Sequence, residues 1–180
     1  TATGAADGNY DFTYVNTGVL SIPKAMLTAT TQNATREYGD AEPAFSVVYT
    51  GFRNSETQSV IDTLATASTA ADVNSNVGTY GISSTGASDI NYDFTYANTG
   101  VLSVTKATIT VDVDDQSRTY GDGNPALTYS YSGFKNGQNS GVFTTQATAS
   151  TVADALSNAG TYVITAAGAA ADNYDFTYQD

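Results

Sequence analysis

The sequence predicts a mostly β fold made of two small tandem domains, and three observations lead to this prediction. Its 180 residues include 13 Tyr, 7 Phe and 16 Gly, a mixture of strand-forming and turn-forming residues. Several short stretches alternate apolar and polar residues, as strands with one buried and one exposed face do. The chain also repeats itself at a fixed period, which divides it into equal units. We therefore expect an elongated row of domains built from short strands and tight turns.

The repeat is defined by the hexapeptide Asn-Tyr-Asp-Phe-Thr-Tyr, which begins at Asn9, Asn91 and Asn173. Both separations are 82 residues, and the same offset places the Tyr-Gly-Asp sequence at 38–40 onto that at 120–122 without insertion or deletion. A unit of this length can enclose its own small core. The pattern therefore favours separate domains over a continuous solenoid.

The period also sets the expected domain boundaries. We expect the first domain at residues 23–104 and the second at 105–180, with the second truncated at its last strand. Residues 1–22 are interpreted as terminal strands of a preceding repeat, or as a strand lent to the first domain. The joint falls at Ile22-Pro23-Lys24 and again at Val104-Thr105-Lys106, and we expect it to be short and rather stiff.

Alternation predicts individual strands in each unit. In the second unit the apolar positions are Ile109, Val111 and Val113, then Leu127, Tyr129 and Tyr131, then Tyr162 and Ile164. In the hexapeptide, Tyr92, Phe94 and Tyr96 share one face opposite Asp93 and Thr95. Because this period of two is typical of a half-buried strand, we predict a core strand rather than an aromatic binding platform.

One stretch departs from the strand pattern and predicts a short helix. Residues 55–63 contain few turn formers, and Val60, Ile61 and Leu64 could form an apolar helical face. The counterpart at 137–144 contains two glycines, so only a single turn is expected there. A hairpin followed by a short helix and further strands favours a β-grasp-like unit. An immunoglobulin-like sandwich of about seven strands is the alternative.

The charge of the chain excludes several partners. Eighteen acidic and six basic residues give a net charge of −12, which repels phosphate backbones and anionic membrane surfaces. We therefore expect no nucleic acid partner. No apolar stretch approaches the roughly 18–20 residues that a membrane-spanning helix needs, so we also expect no membrane insertion.

The residue types present predict neither an enzyme nor a cofactor. His and Cys are absent, which excludes a Ser-His-Asp or Cys-His catalytic arrangement. No metal site is predicted for the repeat as such. The densest acidic cluster, a candidate for Ca²⁺ because this ion prefers oxygen ligands, occurs in the second unit alone. It consists of Asp112, Asp114, Asp115 and Asp122.

The Tyr-Gly-Asp sequence is interpreted as a structural turn. Its Gly permits positive φ and its Asp can accept backbone hydrogen bonds. Arg36 and Arg118 lie two residues before each Tyr, and we expect each to pair with a nearby acid. Lys24 and Lys106 fall at the joints, where we expect an exposed or hinge role rather than an isopeptide cross-link.

Several segments of the second unit together resemble the MBG repeat of the Tyr-Gly-X type. They are residues 106–111, 114–122, 124–129, 131–134, 160–162 and 173–178. The resemblance covers essentially the whole chain and implies tandem repeats of a large, secreted bacterial cell-surface adhesin. It implies a role in extension, attachment or biofilm formation, and it carries no catalytic residue.

Two functional hypotheses follow. In the first, the units form a spacer that holds a distal binding region away from the cell, and their partners are neighbouring repeats. In the second, each unit itself binds a host or matrix glycan or protein. Close similarity of the copies favours the spacer. The differing loops at 53–60 and 135–142 keep the binding hypothesis open.

Overall fold

The computed structural model describes residues 1–179 and confirms a mostly β chain. Its strands are β1 (Ala25–Thr31), β2 (Ala34–Glu37), β3 (Val47–Thr50), β4 (Thr66–Thr69), β5 (Gly78–Thr85), β6 (Tyr92–Ala97), β7 (Val101–Thr105), β8 (Ala107–Val113), β9 (Tyr129–Ser132), β10 (Thr148–Thr151), β11 (Ile164–Ala167) and β12 (Tyr174–Gln179). We call β1 to β7 the first repeat and β8 to β12 the second repeat.

The first repeat contains two sheets. One has the order β3-β1-β6, in which β1 is antiparallel to β3 and parallel to β6. The other has the order β2-β7-β5-β4, in which β7 is parallel to β2 and antiparallel to β5. The last strand of the repeat is thus an inner strand, and its neighbours on both sides depend on it for hydrogen bonds.

The second repeat reproduces the first sheet and only part of the second. Its β9-β8-β12 sheet keeps the register, since Ala107 lies opposite Tyr174 as Ala25 lies opposite Tyr92. The other sheet is reduced to β10-β11. Residues 116–119 and 160–163, the counterparts of β2 and of the first half of β5, are not strands. In the first repeat both segments pair with β7, whose counterpart would fall beyond residue 180.

Buried and exposed residues alternate along the core strands, as the sequence predicts. Leu27, Ile109 and Val111 are fully buried, and so are Leu102 and Val104 of β7. Burying such an aliphatic side chain contributes about 1.5–3 kcal/mol. Two expected strand positions differ: β9 begins only at Tyr129, so Leu127 lies before it, and β11 begins only at Ile164, so Tyr162 lies before it and is exposed. In the first repeat the equivalent residues 78–81 pair with β7, and no described residue pairs with 160–163.

The hexapeptide is confirmed as a core strand in β6 and β12. Tyr92 and Tyr174 are buried, and the Tyr96 hydroxyl accepts a hydrogen bond from the backbone N–H of Ala87 at 2.9 Å. The copy near the start of the chain is different. Residues 1–22 contain no strand, and Tyr10 is exposed.

The expected helix is only a 3-10 turn of three residues, Gln58–Val60, and the second repeat has a matching turn at Ser140–Val142. Of the predicted apolar face, Ile61 alone is buried, whereas Val60 and Leu64 are exposed. A single turn presents too little surface for a helical apolar face to form.

The two joint lysines fix the first strand of each repeat. Lys24 Nζ donates to the Asp89 carbonyl at 2.8 Å, and Lys106 Nζ donates to the Ala171 carbonyl at 3.1 Å. Each also lies near the acid that follows the buried Tyr, Asp93 for Lys24 at 3.8 Å and Asp175 for Lys106 at 3.6 Å. Both lysine side chains are part-exposed.

We expect Gly100→Ala to destabilise the first repeat. A Cβ at Gly100 would lie 2.6 Å from the Gln32 carbonyl oxygen, and backbone there must shift to relieve the overlap. The unfolding free energy should fall by about 1–3 kcal/mol in urea titrations. Gly18→Ala is the matched control, because Gly18 is the counterpart one period earlier and has nothing within 4 Å. Equal effects of the two substitutions would contradict the packing described here.

Candidate functional site: the inter-repeat interface

The best-defined candidate site is the contact between the repeats, centred on Tyr38. This side chain is only 3% exposed although it lies in a turn. Its ring packs edge to face against Tyr174 of the second repeat, with ring centroids 5.5 Å apart and planes at 83°. Such aromatic pairs contribute about 0.5–1.5 kcal/mol beyond their burial.

The Tyr-Gly-Asp turn directs the Tyr38 side chain toward the second repeat. Gly39 has φ of 80°, a region that favours glycine. The Asp40 N–H donates to the Glu37 carbonyl at 3.1 Å, and the Tyr38 N–H donates to the Thr105 carbonyl of β7 at 2.8 Å. The expectation that the Asp side chain serves the turn backbone is wrong for Asp40, because its carboxylate accepts from Lys135 instead.

Polar contacts surround the aromatic pair. Lys135 Nζ lies 2.8 Å from an Asp40 carboxylate oxygen and 4.0 Å from one of Glu37. Gln138 donates to the Tyr38 hydroxyl at 2.9 Å. The Tyr174 hydroxyl in turn donates to Gln138 at 2.6 Å. These side chains therefore fix both the position of Tyr38 and the orientation of the turn.

A second group of hydrogen bonds lies beside the turn. Asn173 accepts from the Val77 N–H at 2.9 Å and donates to the Asn76 side chain at 2.8 Å. Asn136 donates to the Val73 carbonyl at 3.2 Å. The first repeat is thus held at two separate places on the second, which restrains rotation about the joint.

One hydrophobic core runs across the joint. It unites buried residues of both repeats, namely Tyr38, Ala71, Ile82, Leu102 and Val104 with Ala107, Ile109, Ala171 and Tyr174. Only Lys106 separates β7 from β8. The joint is therefore a packed interface and not a linker.

An arginine lies two residues before the tyrosine of each turn, and its side-chain partner differs between the two copies. Arg36 is buried and pairs with Glu42 at 2.9 Å, as predicted. Arg118 instead donates to the Asn124 side-chain oxygen at 2.8 Å, so the prediction of an acidic partner is wrong there. The physical reason is the sequence itself, because Asn124 occupies the position of Glu42.

The second copy of the turn has the same backbone but a different environment. Gly121 has φ of 90°, and the Asp122 N–H donates to the Thr119 carbonyl at 3.2 Å. Tyr120, however, is 65% exposed. A Cβ on Gly39 would overlap the Lys135 side chain, whereas one on Gly121 would meet nothing within 4 Å. The burial of Tyr38 is thus a property of the interface and not of the turn.

The acidic residues considered as Ca²⁺ ligands do not converge. Asp114 accepts a hydrogen bond from the Thr128 hydroxyl at 2.6 Å, and Asp114, Asp115 and Asp122 are exposed. Within residues 1–179, no three acidic side chains are arranged to hold a metal ion. In the same part of the chain, no helix is long and apolar enough to cross a membrane.

Two groups of the interface have raised pKa values. The hydrogen bond to Asp40 raises the pKa of Lys135 above its usual value, because the carboxylate favours the charged ammonium. Burial raises the pKa of the Tyr174 phenol, because the ionised form is poorly solvated there. Both groups therefore keep their protons across the neutral range.

The fold and this interface define two small tandem β domains joined through the Tyr-Gly-Asp turn of the first. The family model described as MBG domain (YGX type) matches residues 27–103 and again 109–180. The chain therefore belongs to the MBG domain family, as the sequence motifs predict. No curated protein and no solved structure matches it.

The sequence alone does not predict which residues of the second repeat contact the turn that carries Tyr38. Lys135, Asn136 and Gln138 belong to the loop at 135–142, which differs from its counterpart at 53–60. That difference is the only sequence signal, and the binding hypothesis interprets it as ligand recognition. In the structure, this loop forms hydrogen bonds with the first repeat.

Substituting the two turn tyrosines separately tests the interface. Tyr38→Ala should lower the unfolding free energy by about 3–5 kcal/mol, the cost of removing a buried aromatic ring. Tyr120→Ala, the same change in the same turn sequence, should stay within about 0.5 kcal/mol in dilute solution. Denaturant titrations followed by tyrosine fluorescence provide the measurement. A similar loss for both variants would show that the ring serves its own repeat rather than the interface.

The raised pKa values predict a loss of stability at alkaline pH. The unfolded chain gives up these protons at lower pH than the folded one, so the unfolding free energy should be constant at neutral pH and fall above about pH 10. Tyr174→Phe should weaken this fall, because one of the responsible groups is removed. Denaturant midpoints across an alkaline pH series provide the measurement. An unchanged slope in Tyr174→Phe would contradict the assignment.

Proposed function

We propose that these repeats are rigid spacer units of a secreted bacterial cell-surface protein that supports attachment or biofilm formation. The observation that carries the proposal is the insertion of Tyr38 into the next repeat. A spacer must keep its units in a fixed relative orientation, and a buried turn flanked by hydrogen bonds meets this need. Membership in a family of tandemly repeated domains and the acidic composition are compatible with an exported, extended protein.

The alternative in which each repeat binds a glycan or protein has less support. Its only basis in the sequence is the difference between the loops 53–60 and 135–142. In the second repeat, two of the differing positions, Lys135 and Gln138, contact the first repeat. These contacts support a repeat-to-repeat role for the loop at 135–142, and we propose neither a ligand nor an enzymatic role for the chain.

Small-angle scattering in dilute solution tests the spacer role. A single compact domain of this length would have a radius of gyration of about 16 Å, and the spacer should lie clearly above this value. Tyr38→Ala should broaden the distribution of distances by loosening the joint, and Tyr120→Ala should leave it unchanged. Added Ca²⁺ should alter neither. A compact profile, or identical profiles for wild type and Tyr38→Ala, would contradict a rigid spacer.

A further inference from the structure

Two long segments of the first repeat run side by side in the same direction. The entering segment, residues 25–37, comprises β1 and β2, and the leaving segment, residues 92–105, comprises β6 and β7. Strand β1 pairs in parallel with β6, and β2 pairs in parallel with β7. Along nearly its whole length, each segment therefore has the other as a hydrogen-bonded neighbour.

The contact continues where the two segments pass from one sheet into the other. The Gly100 N–H donates to the Thr31 hydroxyl at 2.9 Å, and the Val101 N–H donates to the side-chain oxygen of Asn33 at 3.0 Å. Gly100 is also the position where a Cβ would overlap the Gln32 carbonyl oxygen. The segments are thus packed closely together between the two sheets as well as within them.

The two sheets lie end to end along these segments and not face to face. Leu27 and Ala29 of β1 belong to one hydrophobic cluster, whereas Leu102 and Val104 of β7 belong to another. Sheets that faced each other would share one core. The paired segments therefore form a single ribbon, about 40 Å long at about 3.3 Å per residue.

Tension along the chain would act on opposite ends of this ribbon. A pull from the residues before β1 acts on Ala25, at the start of the entering segment, and a pull from the second repeat acts on Thr105, at the end of the leaving segment. Because the segments are parallel, these forces slide one segment along the other and load all the hydrogen bonds between them together. Forces applied at one end of the ribbon would instead open the bonds one after another.

Side-chain and backbone contacts secure both ends of the ribbon. At the start, Lys24 Nζ donates to the Asp89 carbonyl at 2.8 Å. At the other end, the Thr105 carbonyl accepts from the Tyr38 N–H at 2.8 Å, and the Thr105 hydroxyl donates to the Arg36 carbonyl at 3.3 Å. Strands β1 and β7 are also inner strands of their sheets. Neither can be withdrawn by breaking hydrogen bonds on one side alone.

We propose that the first repeat bears tension along the chain, and that its paired segments resist unfolding by shear. The biological use of this property rests on the proposed spacer role, since a unit between an attachment point and the cell is the one that is pulled. Only Lys106 separates β7 from β8, and β8 pairs in parallel with β12 in the register of β1 with β6. The load therefore passes directly from one parallel pair to the next.

Pulling the same protein in two directions tests the proposal. The chain has no native Cys, so two introduced cysteines can attach the handles for single-molecule force measurements. Ile22→Cys with Lys106→Cys loads opposite ends of the ribbon, whereas Ile22→Cys with Asn91→Cys loads one end, and all three positions are exposed. The mean unfolding force should be at least about twofold higher for the first pair, because bonds that break together resist more than bonds that break in turn.

The length released on unfolding shows that the repeat was folded before each pull. It should be about 250 Å in both geometries, at about 3.6 Å per residue between the handles. Equal unfolding forces in the two geometries, or a higher force when one end is loaded, would overturn the proposal.

Side-chain hydroxyls provide a second test with opposite ends loaded. The Thr95 hydroxyl donates across the ribbon to the Leu27 carbonyl at 3.3 Å. Thr95→Val should therefore speed unfolding at a fixed force by about two- to tenfold. Thr69→Val is the matched control, because the Thr69 hydroxyl donates to the Gly81 carbonyl at 2.9 Å between β4 and β5, outside the ribbon. It should change this rate by less than about 1.5-fold.

Equal effects of the two valine substitutions would contradict a shear-resistant ribbon. Both tests report force and its direction, whereas the spacer role is tested by the shape of the chain in solution. A repeat that resists shear in a chain without a fixed shape would overturn the spacer role alone, and an extended chain with equal forces in both geometries would overturn the load-bearing role alone.

Discussion

The contact between Tyr38 and Tyr174 is the interaction on which the arrangement of the two repeats depends. A β-turn at the surface of a small domain ordinarily exposes its side chains, and Tyr120 does so. Tyr38 is buried because the next repeat supplies an aromatic ring and a hydrogen-bond donor at the right distance. The energy of this contact cannot be assigned to either repeat alone. Each repeat is therefore stabilised in part by its neighbour, as in other tandem arrays.

The position of β7 couples the two repeats in a second way. This strand completes the inner part of one sheet in the first repeat and leads through Lys106 directly into β8 of the second repeat. A change in the direction of β7 must therefore move either its own sheet or the next repeat. In the first repeat, β2 and the first half of β5 pair with this strand, whereas their counterparts at 116–119 and 160–163 are not strands among the described residues.

Much of the fold could be predicted from the sequence, because alternation and an exact period report local burial. Ile109, Val111 and the hexapeptide tyrosines are buried as their spacing predicts. The interface could not be predicted in the same way. The Tyr-Gly-Asp sequence is identical at 38–40 and 120–122, yet one tyrosine is buried and the other exposed. Burial there depends on whether a second repeat is adjacent, and no local pattern contains that information.

The central claim is that the interface holds the two repeats in one fixed orientation. Residual dipolar couplings of backbone N–H groups in a weakly aligned sample test it most directly, since they report the orientation of each repeat separately. Our account predicts one common alignment tensor for both repeats in the wild-type chain. It predicts two different tensors once Tyr38 is replaced by alanine. Two unrelated tensors in the wild-type chain would contradict it.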